Sequence, residues 1–221
     1  RDLWGSRGQA LAIALVVAGG VATYIMSEST IQALQFSQAV YYRDYRFADV
    51  FCSLKRAPER LRARVLAIPG VQVVETRVVG FATLEVGEFP DPVTGQFISI
   101  PDQGQPALNQ LYLRKGRWVE PGRDDEVLVH EAFAQAHKLK PGDSILATIR
   151  GKRKRLRIAG VALSPEFIYA VQPGAVIPDF QRFGVFWMAR DPLSHAYELE
   201  GAFNDLALTV APGANVRDVI D

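Results

Sequence analysis

Chemistry-bearing side chains are scarce in this sequence: its 221 residues include one cysteine and three histidines. A lone thiol, Cys52, has no partner in the chain, which excludes an internal disulfide framework. Three imidazoles leave little for a nucleophilic triad. Neither a Gly-x-Ser-x-Gly elbow nor a Gly-x-x-x-x-Gly-Lys-Ser/Thr phosphate loop occurs. An excess of either charge is missing too. With 25 basic against 24 acidic residues, the chain lacks the clustered basic surplus that neutralising phosphates requires, so nucleic acid is excluded as a partner. Disorder is excluded in turn by a hydrophobic content of 48%.

The candidate chemical motifs that do occur fail on spacing. His130-Glu131 followed by His137 imitates half of a zinc-protease signature, which needs its second histidine four residues on; position 134 is alanine. Seven residues are about 10 Å along a helix, too far for one zinc with bonds of roughly 2 Å. Asp124-Asp125-Glu126 lacks the alternating ligand spacing of a calcium loop and reads as a solvated turn. The one basic run, Lys152 to Arg157, could face a lipid headgroup, but reads first as the charged tip of a hairpin. No catalytic, cofactor-binding or metal-binding residue is assigned, and no enzymatic activity is expected of the chain.

What the sequence does have is one long apolar run. Residues 8–27 contain no charge, and 14 of the 17 residues from Ala10 to Met26 are hydrophobic. Twenty helical residues span about 30 Å, the thickness of a bilayer's hydrocarbon core. A cleaved signal peptide would be shorter, with a small-x-small exit where this chain has Tyr24, Ile25, Met26 and Ser27. A core helix apolar on every side needs a large protein around it. A membrane-spanning helix over residues 1–27, including its flank, is therefore expected. Arg1 and Arg7 before it and Glu28 after it place the N-terminus in the cytoplasm. The residues after the span then lie outside the cytoplasm, where an unpaired Cys52 is tolerated most easily if buried. Ala10, Ala14, Ala18 and Ala22 recur every four residues and form a face on which a neighbouring helix could approach closely, although alanine is also simply common in such helices.

The helical pattern continues outward. Ile31, Leu34, Gln38, Tyr41 and Tyr45 alternate spacings of three and four, which fits a stalk helix over residues 28–47 packed on a second helix, or an amphipathic helix packed on its own domain. Residues 49–54 then read as a strand, Ala57-Pro58-Glu59-Arg60 as the start of a helix with proline in its first turn, and 71–79 as a second strand. Leu61, Val65 and Ile68 form that helix's apolar face. The same grammar returns at 204–210 with a helix beginning at 215. The fold class expected is therefore α+β: a split, ferredoxin-like β-α-β domain over 48–80 and 204–221, interrupted by a strand-rich insertion over 81–203. In the insertion, 81–86 and 96–100 flank a loop at 91–95, residues 144–149 pair with 156–162 around Gly151, and Asp191-Pro192 caps a helix that ends at Gly201. Because the second β-α-β unit lacks a closing strand, the sequence is expected to be a piece of a longer chain.

Several short motifs follow one another in a particular order: Arg1-Asp2-Leu3-Trp4 with Arg7 to Ala10 before the apolar run, Gly116-Arg117-Trp118, Pro121-Gly122-Arg123, residues 125–129, Pro141-Gly142-Asp143, 164–169 and 201–205. In that order the chain resembles the N-terminal part of an ABC transporter permease of the FtsX/Lol/MacB superfamily, with a MacB-like periplasmic core domain. The resemblance implies residence in a bacterial inner membrane, with everything after about residue 27 on the periplasmic side. It implies a cytoplasmic ATPase subunit that hydrolyses ATP, a second permease subunit or repeat, surrounding lipid, and a periplasmic protein or lipid as substrate. A single-pass anchored sensor or ligand-binding module is the alternative.

Overall fold

The computed structural model describes residues 7–87 and 89–220, so residues 1–6, with the Arg1-Asp2-Leu3-Trp4 motif, and Glu88 and Asp221 lie outside the described residues. The chain divides into two units, Arg1–Asp44 and Tyr45–Asp221.

The first unit is one uninterrupted helix, α1 (Arg7–Asp44). Its 38 residues amount to about 57 Å at 1.5 Å per residue. Proline is absent from it, and the adjacent Gly19 and Gly20 lie between Ala18 and Ala22, alanine being the strongest helix former. Three of its hydroxyls bond back to the helix, Thr23 donating to the Gly19 carbonyl, Ser27 to Thr23 and Thr30 to Met26, each at 2.8–2.9 Å. The helix ends before the sequence pattern does: Arg46 takes a left-handed φ of 49°, so Tyr45 lies in a turn beyond α1.

The second unit is β-rich and contains two sheets. In the smaller, β1 (Val50–Pro58), β10 (Ala202–Val210) and β2 (Val71–Arg77) lie in the order β1-β10-β2, all neighbours antiparallel. β1 and β2 therefore run the same way, joined by α2 (Leu61–Leu66). Leu61, Val65 and, from α5 (Val216–Ile220), Val219 pack with Val74, Phe203, Leu206 and Leu208 of the sheet. Ile68 lies past the end of α2 and is exposed. Pro58 is not in a helix: it closes β1, tolerated because β1 is an edge strand whose outward N–H has no ladder to serve. Cys52, on the same strand, is exposed rather than buried.

The expected strand at 71–79 is two strands. Val78 separates β2 from β3 (Val79–Glu85), and the chain passes there from the small sheet into the large one. The large sheet adds β4 (Val93–Ile100), β5 (Tyr112–Gly116), β6 (Glu126–His130), β7 (Ser144–Ile149), β8 (Lys152–Leu163) and β9 (Phe183–Ala189). Its order is β5-β8-β6-β9-β4-β3-β7, and β7 pairs again with β8. That second pairing closes β8, β6, β9, β4, β3 and β7 into a ring, with β5 attached outside on β8. β8 serves three partners along its length: residues 152–157 pair with β7, and the remainder with β6 and β5. The hairpin of β3 and β4 is present, with Gly95 inside β4 rather than in the turn.

All six ring strands contribute to one apolar interior, including Leu84, Phe97, Val129, Ala147, Ile158 and Phe186. α3 (Glu131–Ala136) and α4 (Arg190–Tyr197) add Phe133 and Leu193 to it. Each of the larger side chains, Ala147 aside, contributes about 1.5–3 kcal/mol by leaving water. Residues alternate along β9: Phe186 and Met188 face this interior, while Phe183, Val185 and Trp187 face a second core under the loops that hold Leu111, Val119 and Ala170. α4 begins two residues earlier than the Asp191 cap would place it, with Ala189 as N-cap and no capping side chain, and ends at left-handed Glu198 rather than at Gly201.

Candidate functional site

Two places in the molecule stand out, the surface of α1 and the junction of the two sheets in the second unit. On α1, Ala10, Ala14, Ala18 and Ala22 line one shallow groove together with Ile13, Val17, Val21 and Ile25. Eight residues at spacings of three and four share a face. The helix is long and apolar enough to cross a membrane by length and composition. Ile31, Leu34, Gln38 and Tyr41 continue along one stripe of α1, and Gln38 donates to the Tyr42 hydroxyl at 3.1 Å. Tyr45, grouped with them by spacing, belongs to the second unit, where its ring meets Tyr112 edge-on at 6.0 Å.

At the sheet junction Arg77, the last residue of β2, is buried with a relative exposure of 6%. Its guanidinium grips two carboxylates. Nη1 and Nη2 donate to Glu166 at 2.5 and 3.0 Å, and Nε and Nη2 lie 2.8 and 2.6 Å from the Asp205 Oδ1. Asp205 sits on the neighbouring strand, directly opposite Arg77 in register. Glu166 comes from the large-sheet side, in a short 3-10 turn at Pro165–Phe167 between β8 and β9. Burial opposes the charge on Arg77, but the two carboxylates outweigh it and raise the pKa above the ordinary arginine value. A buried cation with two hydrogen-bonded anions is fully engaged; either carboxylate alone still pairs its charge, whereas losing both would strand it. Arg190, first residue of α4, makes a second link, donating to Glu59 at 2.7 Å and to the Thr76 carbonyl at 2.5 Å. Asn204 of β10 bonds reciprocally to the backbone of Val79 on β3 at 2.8 and 2.7 Å.

Beside this junction lies a cleft of about 690 Å³ whose lining includes Glu59, Asp102, Asp124, Arg190, His195 and Glu200. Both signs of charge line it. Among the described residues, no three His, Cys, Asp or Glu side chains are grouped as a metal would need.

The acidic triplet is not one solvated turn. Asp124 is exposed and pairs with Lys154 at 2.7 Å, whereas Glu126 is completely buried. Arg117 reaches Glu126 from the surface with Nη1 at 2.8 Å and Nη2 at 2.5 Å, and the Glu120 N–H donates at 3.1 Å. Chiefly through the Arg117 hydrogen bonds, the carboxyl is held below its usual pKa. His130 and His137 go to different jobs. The Nδ1 of His130 accepts from Ala132 N–H at 3.3 Å and caps α3, its Nε2 has no hydrogen-bond partner among the described residues, and burial lowers its pKa. His137 contacts the Gln181 carbonyl through Nε2 at 2.9 Å. The basic run is strand rather than hairpin tip: Lys152–Arg157 pairs with β7, with Arg153 bonded to Glu85 at 2.7–2.8 Å and Leu156 buried.

The sequence reading missed an exposed apolar segment between the 3-10 turn and β9. Residues 167–178 carry no charge, and Tyr169, Val176 and Ile177 are 76%, 94% and 76% exposed. The absence of charge through a Gly/Pro-bearing loop was the available signal.

No family model matches the chain, and no curated protein matches it. Among solved structures it is similar to the extracellular domain of the ABC-type transporter YknZ from Gram-positive bacteria. That match has 12% identity and a TM-score of 0.47, covering 76% of this chain and 86% of the other. It is also similar to the periplasmic region of MacB from Actinobacillus actinomycetemcomitans, at 12% identity and a TM-score of 0.44, covering 72% of this chain and 67% of that one.

Proposed function

We propose that this chain is the N-terminal part of an ABC transporter permease. In this reading α1 crosses a bacterial cytoplasmic membrane with its N-terminus inside, and residues beyond about 27 stand on the outer side. The observation that carries it is the continuity of α1: a charge-free stretch long enough for the bilayer runs without a break into a further 17 helical residues, Glu28 to Asp44. Those add about 25 Å outside the hydrocarbon. A stiff helix of that length can pass a displacement outward, which a flexible linker cannot. The alanine face at Ala10, Ala14, Ala18 and Ala22 is where a second permease subunit or a further helix packs, and the stripe from Ile31 to Tyr41 is the corresponding stalk contact.

The role of the second unit is to convert that displacement into work on a protein or lipid substrate, or into a mechanical signal. A cytoplasmic ATPase partner supplies the energy. The reading of a split, ferredoxin-like core is supported by the order β1-β10-β2 with α2 and α5 packed against the same small core. The strand-rich segment over 81–203 then interrupts that core between its two halves. Affinity purification of the full-length protein from detergent-solubilised membranes tests the proposal. An ATPase subunit carrying the phosphate-binding loop that this chain lacks is expected to co-purify in stoichiometric amount; recovery of a single-pass protein alone would overturn the reading.

A further inference from the structure

Directly after α1 the chain enters the second unit through residues 45–49, and this short segment is tied by hydrogen bonds to one loop. Asn109 N–H donates to the Arg46 carbonyl at 2.9 Å and Gln110 N–H to the Tyr45 carbonyl at 2.8 Å. Ala48 N–H donates to Asn109 Oδ1 at 3.0 Å in a buried contact. Asn109 is itself buried and held at φ +49°, a conformation that asparagine tolerates better than most residues. Its remaining amide group, Nδ2, donates to Glu166 Oε2 at 3.2 Å. Glu166 is the anion that Arg77 holds, and two residues further on begins the exposed apolar segment 168–178. Phe167 anchors the start of that segment against Trp187 of β9, with ring centroids 6.2 Å apart.

We infer that Asn109 and Glu166 form a latch that couples the segment leaving α1 to the exposed apolar segment 168–178, with Arg77 and Asp205 as its fixed base. The inference rests on the permease reading for its purpose, since only a helix that moves gives the latch something to transmit. Its geometry stands independently. Asn109 can accept from Ala48 and donate to Glu166 at once only while residues 45–48 and 165–167 keep their present separation. A shift of 45–48 by an ångström or two breaks one of these bonds, because neither tolerates a donor–acceptor distance much beyond 3.5 Å. Arg77 stays with Asp205 in either case, so the buried cation is never stranded and Glu166 is the partner that can be released. Asn109 and Glu166 are positioning residues in this scheme.

Hydrogen exchange read by mass spectrometry on the full chain in lipid nanodiscs tests the latch. The variants are Asn109→Gly, which keeps the left-handed backbone and removes both side-chain bonds, and Glu166→Gln. Each is expected to raise exchange in residues 45–49 and in 168–178 together by about threefold or more, with β9 unchanged, and the double variant to add little beyond either alone. Arg153→Ala, which breaks the distant pair with Glu85, serves as control and leaves both segments unchanged. An exchange increase confined to the neighbourhood of each mutated residue, additive effects in the double variant, or a rise spread over the whole second unit would each overturn the coupling. If Asn109→Gly does not fold, Glu166→Gln is read alone by whether residues 45–49 respond. No ATPase takes part in the measurement, so failure here leaves the permease proposal standing, and failure to co-purify an ATPase leaves the exchange result standing.

Discussion

Glu126, with no exposed surface, meets both terminal nitrogens of Arg117, a side chain that is itself 43% exposed. A buried anion is thus held by a cation that remains half in solvent. The carboxyl's folded pKa lies below its unfolded value of about 4.3, chiefly because of the Arg117 hydrogen bonds, so its contribution to stability is complete above pH 4.3 and is lost as pH falls through the folded value. In Arg117→Met the folded value rises, and the onset of acid unfolding is expected to move to higher pH. Thermal unfolding followed between roughly pH 7 and 3 checks this; superimposable acid limbs for the two proteins would count against the pair.

His130 acts in a different pH window. Burial lowers its pKa, so between the ordinary value of about 6.5 and the folded value the unfolded chain binds a proton that the folded chain does not. Stability therefore declines as pH falls below about 6.5. His130→Gln keeps an oxygen acceptor for the Ala132 N–H and removes the titration. A flatter melting temperature from pH 7 to 5 is expected of it, and an unchanged slope would contradict the assignment.

Gly184 in β9 faces the ring of Phe133, and a Cβ there would stand 2.7 Å from a ring carbon. Phe133 is fully buried in the ring interior and has nowhere to retreat. Gly184→Ala is expected to destabilise the second unit by about 1–3 kcal/mol through overpacking. Denaturant unfolding measures it, and a neutral result would mean that α3 shifts freely against the sheet.

Cys52 is the one thiol of the sequence and it is exposed on β1, which makes it a ready topology marker. In spheroplasts expressing this chain, a membrane-impermeant maleimide is expected to label Cys52 without lysis. Labelling only after the membrane is opened would reverse the orientation drawn from Arg1 and Arg7.

Much of the architecture is legible in the sequence where periodicity is long or punctuation is sharp. The run from Gly8 has no competing reading as strand, and Pro69-Gly70 marks the stop before β2 clearly. The passage at Val78 is not legible, because the strand-like stretch from Val71 to Val79 carries no glycine or proline where the chain changes sheets. β8 is hidden for a different reason: four basic residues at its start resemble a solvated tip, and only the β7 pairing shows that they alternate around a buried Leu156 position. The Arg77–Asp205 and Arg77–Glu166 pairs join residues 128 and 89 apart. No local pattern announces such partners; topology alone brings them together. Glu126 fails for the same reason in miniature, since three consecutive acids look alike until Arg117 selects one.

The closed ring also bears on self-association. Because β7 is paired with both β3 and β8, the unpaired backbone edges among the described strands are confined to β1, β2 and β5. The longest of these, β1, carries an irregular register between Ser53 and Ala57, exposed Lys55 and Arg56, and a terminal proline. A bulge, cations and proline are the features that discourage a foreign strand from extending a sheet. Between copies of this chain, β1 is thereby a poor template for amyloid-like growth.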